Sequence, residues 1–192
     1  MVSRRAVLGS GVAAAGIAAT GGFVAWSGES RSDGGSGPEL GTVEFFPPER
    51  RQDAPAVSGE LLDGTPFDLA DWHGQVVVFN WWGSWCAPCR AEAEDLRAVY
   101  EATHQLGVEF LGVNVRDGRD AAIAFVDAFG HAWPSLFDPG GEVAMAFRDV
   151  PPTVIPTTLL IDWQHRIAAV FRRRVYQPEL EEQVRELAGE AA

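Results

Sequence analysis

The only two cysteines in the 192-residue chain are Cys86 and Cys89, with Ala87 and Pro88 between them. A thiol pair at this spacing can close to a disulfide and reopen. The run Val76-Val77-Val78-Phe79-Asn80-Trp81-Trp82 before it reads as a buried strand, and Arg90 to Gln105 after it as a helix. The first amides of a helix lack partners and carry the positive end of its dipole. A sulfur placed there is stabilised as thiolate, the form that attacks a disulfide. Cys86 is therefore the expected exposed nucleophile, and Cys89, one turn on, the thiol that closes on it to release product. Pro88 suits a first helical turn because it has no amide hydrogen to leave unused. Trp85 offers a flat apolar surface beside the sulfur. A purely structural bridge across so short a turn removes little loop entropy. A zinc site wants four ligands, and no second cysteine pair supplies them.

Val77-Val78-Phe79-Asn80-Trp81-Trp82-Gly83-Ser84-Trp85-Cys86-Ala87-Pro88-Cys89-Arg90-Ala91-Glu92 resembles the active-site segment of the TlpA/ResA-type thioredoxin-like proteins, extracytoplasmic thiol–disulfide oxidoreductases. The resemblance runs from about Ala54 to Val175. It implies an α/β, thioredoxin-like fold: a mixed central sheet flanked by helices, with an N-terminal hairpin extension and a central insertion near Asp117 to Phe147. X-Pro is the common cis peptide, and Pro156 matches the cis proline that lies beside the two sulfurs in such folds. Its backbone and that of Ile155 are expected to line a groove for an extended substrate, edged by Trp82, Trp85, Ala87 and Pro88. Glu92, one turn beyond Cys89, matches a family acid that manages protons. Partly desolvated, its carboxyl has a raised pKa and can take the Cys89 proton. Asn80 stands where ordinary thioredoxins carry a buried Asp. Two features depart from the family. Glu94 stands where a helix-kinking proline is common. Arg172-Arg173-Arg174 reads as a solvated strand end, with a docking patch for an acidic partner as the lesser reading.

The elements positioning these residues follow from periodicity. Ala54–Val57 and Glu60–Leu69 read as a hairpin, with Asp63-Gly64 as a turn signal. Val76–Trp81 is apolar throughout, so central and covered on both faces. Val108–Val115 is a second strand. Asp120–Phe129 is a helix with Ile123, Phe125, Val126 and Phe129 on one face. Trp133–Phe137 is extended and Gly141–Phe147 a short helix. Thr157–Asp162 and Ile167–Phe171 form a hairpin, and Glu179–Ala188 closes as a helix with Leu180, Val184 and Leu187 inward. His73, His104, His131 and His165 share no spacing and read as surface or turn. Trp81 reads as core, and Trp72, Trp133 and Trp163 as structural.

The N-terminus has a separate logic. Ser3-Arg4-Arg5 precedes an uncharged Ala/Gly/Val run to Trp26, which resembles a twin-arginine export signal. Its length is near that of a membrane span, so cleavage near Ala25-Trp26-Ser27 and retention as an anchor are both open. Residues 1–27 are thus a signal or anchor, 28–52 a flexible Gly/Ser-rich linker, and 53–192 the thioredoxin-like domain. Val43-Glu44-Phe45-Phe46-Pro47-Pro48 reads either as tether or as an extended segment touching the domain. The formal net charge of −12, with no lysine, argues against nucleic-acid binding.

The expected activity is extracytoplasmic thiol–disulfide exchange on exported proteins, exported or held at the cell membrane, without a cofactor beyond the Cys86–Cys89 pair and without a metal. The resemblance implies a reductive direction, apocytochrome c as a client, a membrane thiol donor of the CcdA/DsbD type and a monomer. Three alternatives stay open: a disulfide-forming oxidant, a peroxiredoxin-like peroxidase, and a copper chaperone using both sulfurs as soft ligands.

Overall fold

The computed structural model describes residues 41–190. In chain order the elements are β1 (Val43–Phe45), β2 (Ser58–Glu60), β3 (Pro66–Asp68), β4 (Val76–Trp82), α1 (Ala87–Thr103), β5 (Val108–Val115), α2 (Arg119–Phe129), β6 (Ser135–Asp138), α3 (Glu142–Ala146), β7 (Thr157–Ile161), β8 (Ile167–Phe171) and α4 (Gln177–Gly189). Six strands form one sheet in the order β1-β8-β7-β4-β5-β6, and β2 and β3 form a separate hairpin. β4, β5 and β6 run parallel, linked through α1 and α2, while β7, β8 and β1 add antiparallel. The mixed α/β sheet expected from the sequence is therefore present.

Every residue of β4 is buried, which explains its unbroken apolar run. Its side chains alternate between two cores. Val77, Phe79 and Trp81 join Leu111, Val113, Leu159 and Phe147 on one face, sealed by Phe67 and Trp72 of the hairpin region. Val76 and Val78 join Phe110, Leu160 and Phe171 on the other, beneath Leu96 and Val99 of α1 and Leu180, Val184 and Leu187 of α4. Asn80 has the parity of the second face and so looks toward α1.

Several expectations change. The linker assigned to 28–52 does not reach residue 52. Val43–Phe45 pairs with Ala169–Phe171 as an edge strand, and Arg51 bonds Asp162 and Glu190. A three-residue strand has no period of its own; its pairing with β8 makes it one. The first hairpin strand is Ser58–Glu60, not Ala54–Val57. On α2 the inward residues are Ala122 and Phe125, while Ile123 faces outward. The signal or anchor assigned to 1–27, and the linker as far as residue 40, lie outside the described residues. Among the described residues no helix is long and apolar enough to cross a membrane.

Candidate functional site

β4 ends at Trp82 and α1 begins at Ala87, so Gly83-Ser84-Trp85-Cys86 is the whole connection. Cys86 is the N-cap of α1, and its Sγ accepts the Cys89 N–H at 3.2 Å. The sulfur thus sits on the unpartnered amides where a thiolate gains most. Pro88 occupies the first turn. Cys86 and Cys89 are joined, with S–S 2.07 Å and Cα–Cα 5.3 Å. The expected exposed nucleophile is covered in this oxidised state: Cys86 is 4% and Cys89 2% exposed. Ala87 and Pro88 are exposed beside them.

The Ile155-Pro156 bond is cis. Thr157 pairs with Trp81, which sets Pro156 across from the end of β4, where the cysteine loop leaves the sheet. Half-buried Ile155 packs against the cluster containing Cys86 and Cys89. Cys86, Cys89, Ile155 and Pro156, separated by some 70 residues in sequence, therefore meet at one edge.

Trp82 does not edge this groove. It is 1% exposed and stacks on Phe125, centroids 4.7 Å apart. As the last residue of β4 it points into the body, forming a floor with Phe125 and Ala122 beneath the disulfide. Trp85 is the exposed aromatic, at 50%. Its indole N–H donates to the Arg116 carbonyl at 2.9 Å, and the Arg116 guanidinium lies 5.3 Å from the ring centroid.

Glu92 is wholly buried on the face of α1 that carries Cys89. α1 continues through Glu94 as regular helix, so the missing proline does not displace it. Its Oε1 accepts from Asn80 Nδ2 and its Oε2 from the Val175 N–H, each at 3.0 Å. Asn80 also donates to Thr158 Oγ1. Burial pushes the Glu92 carboxyl up to about 8, against the opposing pull of the Val175 and Asn80 donors. That value is close to an ordinary thiol's, so the group can take or return a proton near neutral pH.

Asp117 was not legible as a site residue. Burial works to raise its carboxyl, but hydrogen bonds from the Ser84 amide and hydroxyl, Asn114 and the Gly118 N–H outweigh it and hold it low. It fastens the loop before Cys86 to the end of β5. The available signal was Asn114-Val115-Arg116-Asp117-Gly118, a polar turn closing a buried strand.

The arginine run is not a solvated strand end, nor a free docking patch. Arg172 is buried and paired with Glu44, Arg173 bonds Glu179, and Arg174 bonds Asp95. Of the histidines, His131 is not at the surface. It stacks on Trp133 with centroids 4.5 Å apart, near Phe125 and Trp82. Neither ring nitrogen has a hydrogen-bond partner, and burial pulls its pKa down to about 4.

Comparison with known proteins agrees with this geometry. The family model described as AhpC/TSA matches residues 51–170. The thiol–disulfide oxidoreductase ResA of Bacillus thuringiensis subsp. konkukian is 28% identical over 126 residues, 66% of this chain and 71% of that protein. A secreted thiol–disulfide isomerase from Corynebacterium glutamicum superposes with a TM-score of 0.74 at 40% identity, over 80% of this chain and 96% of that one. A DsbF homologue from Corynebacterium diphtheriae does so with a TM-score of 0.73 at 38% identity, over 81% and 96%. The chain thus belongs to the AhpC/TSA family, and within it is a thioredoxin-like thiol–disulfide oxidoreductase.

Proposed function

We propose that the chain works outside the cytoplasm, exported or tethered by its N-terminal segment, and reduces disulfides of exported proteins. Apocytochrome c is the client class we favour, and a membrane thiol carrier of the CcdA/DsbD type the electron source. The observation that carries the exchange chemistry is the Cys86 sulfur seated on the first amides of α1. Reduced Cys86 attacks one sulfur of the client disulfide as thiolate. That bond breaks, the second client sulfur leaves and takes up a proton, and Cys86 holds the first in a mixed disulfide. Cys89 passes its proton to Glu92 and attacks the Cys86 sulfur. The first client sulfur is released as a thiol, and the Cys86–Cys89 disulfide holds the oxidising equivalent until the carrier reduces it. Cis-Pro156 and Ile155 offer backbone for an extended client, and the exposed Trp85 one wall. No metal or cofactor enters these steps.

Support for a reductive direction comes from the resemblance to ResA-type proteins and from the buried carboxyl. A reduced form strongly stabilised as thiolate makes an oxidant, and an acid behind the pair works against a second buried negative charge. Support for an extracytoplasmic setting comes from the twin-arginine start and from the Corynebacterium glutamicum relative, which is a secreted protein. Two measurements test the proposal. Cys89→Ser must trap a mixed disulfide through Cys86, which Cys86→Ser must not form. The pair's reduction potential must lie near or below about −220 mV. A value near about −120 mV would make the protein an oxidant of its clients, and absence of two-electron exchange would exclude both directions.

A further inference from the structure

Two of the described arginines that lack a carboxylate partner lie at the rim of the site. The chain is acidic, at −12, and most of its described arginines are held by carboxylates, Arg119 by Glu60 and Arg174 by Asp95 among them. Arg90 and Arg116 are not: among the described residues neither has a carboxylate within ion-pair reach. Both are exposed, and both border the disulfide. Arg90 follows Cys89 directly, and its N–H bonds the Cys86 carbonyl. Arg116 closes β5 with a left-handed backbone, φ 52°, and its guanidinium rests over the half-exposed Trp85 ring. The nearest acid in sequence, Asp117, does not neutralise it, because its oxygens are taken by Ser84, Asn114 and Gly118.

A guanidinium stacked on an aromatic face keeps its edge donors free, and that edge matches a carboxylate bidentately. The stack also keeps the side chain ordered, which lowers the entropy lost when a ligand is bound. We propose that Arg116, seated on Trp85, together with Arg90, makes this rim a specificity determinant for client segments that carry an Asp or Glu beside the reactive cysteine. The proposal rests on the reductive reading above: the client chain lies extended along Ile155-Pro156 and delivers its disulfide to Cys86, bringing a neighbouring carboxylate to the rim.

The test uses the purified full chain and two disulfide peptides of equal length, one with Glu and one with Gln flanking the cysteine. The kcat/KM for reduction of each is divided by its rate with free dithiothreitol, which removes the peptides' own difference in reactivity. An exposed ion pair supports a preference of up to about five-fold, so the expected Glu-to-Gln ratio is about three to ten with two arginines acting. Arg116→Gln and Arg90→Gln each bring the ratio down, and the double variant brings it near one. Added salt at 0.5 M does the same in the unaltered chain. Arg50→Gln, an exposed arginine on the β1 side of the sheet, leaves the ratio as it was. A ratio near one in the unaltered chain, or an unchanged ratio in the double variant, overturns the proposal while leaving the reductive reading in place. Reduction of neither peptide brings down the reductive reading and this proposal with it.

Discussion

Replacing Glu92 by Gln isolates the most perturbed group of the site. In the folded chain its carboxyl stands at about 8 instead of the ordinary 4.5. Between those values the native state holds a proton that the unfolded chain has released. Unfolding therefore becomes easier as pH rises, by about 1.4 kcal/mol per pH unit. Summed from pH 5 to pH 8, and allowing for partial ionisation at each end, the loss is about 3–4 kcal/mol. Gln cannot ionise, so the variant escapes it. Gln has its own penalty, independent of pH. The carboxyl accepts from both Asn80 and the Val175 N–H, and an amide presents one acceptor and one donor. One donor facing another leaves a buried group unmatched, at about 1–3 kcal/mol, unless the Asn80 amide turns over. The sign of the difference at any single pH thus depends on two opposed quantities, but its trend does not. Urea unfolding of both proteins, with the disulfide intact, should show the variant gaining on the parent by about 3–4 kcal/mol from pH 5 to pH 8. A difference that stays flat over that interval would refute the reasoning, since Glu92 would then be titrating alike in both states.

Glu92→Gln should also slow closure of Cys89 onto Cys86 by about 100-fold or more, read as accumulation of the mixed disulfide in rapid acid-quench experiments, with the first attack little changed. Trp82→Ala should cost about 3–5 kcal/mol, since it empties the floor under the disulfide; a loss below 1 kcal/mol in urea unfolding would contradict the burial. Asp117→Ala should free the Ser84-Trp85 loop and lower stability by about 1–3 kcal/mol in urea unfolding; Asp117→Asn should restore part of it. His131 binds its proton in the unfolded chain below about 6.5 but in the folded one only near 4. Stability should therefore fall by roughly 3 kcal/mol as pH drops through that window, and His131→Phe should abolish the fall.

What could be read in the sequence was what local spacing encodes. β5 keeps the bounds its apolar run announces, and α4 turns Leu180, Val184 and Leu187 inward as their spacing requires. The pairing of Trp81 with Thr157 brings Pro156 to the cysteines, and the motif resemblance had located that proline. What could not be read depended on partners distant in the chain. β1 is a strand because β8 offers it an edge some 125 residues later. Arg172 is buried because Glu44 comes with that strand. Trp82 and Trp85 look interchangeable in sequence; one is the last residue of a strand and points inward, the other lies on the connection and points out. His131 carries no periodic mark, and only its neighbours Trp133, Phe125 and Trp82 make it internal. Arg116 and Asp117 became visible once the end of β5 was seen to meet the cysteine loop.

The buried carboxyl sets stability against chemistry at a junction of three elements. Asn80 belongs to β4, Glu92 to α1, and Val175 to the turn before α4. An apolar side chain of similar size would remove a desolvation penalty of about 3 kcal/mol at pH 7, though it would leave the Asn80 and Val175 donors unmatched. By stability alone, the carboxyl and the Asn80 amide could give way to hydrocarbon, leaving only the backbone Val175 N–H to be matched. By chemistry the carboxyl has a use, because it stands one turn beyond Cys89 with an affinity for protons close to a thiol's. The donors hold both of its oxygens and so fix the orientation of the carboxyl. The same donors limit how far the pKa rises: were they removed, burial would act unopposed, and the group would hold its proton to still higher pH and be ionised, and so able to act as a base, less often. Asn80 is therefore the residue that tunes Glu92. Asn80→Leu should push the carboxyl higher still and move the pH dependence of Cys89 closure upward. A shift to lower pH would contradict this account of the site.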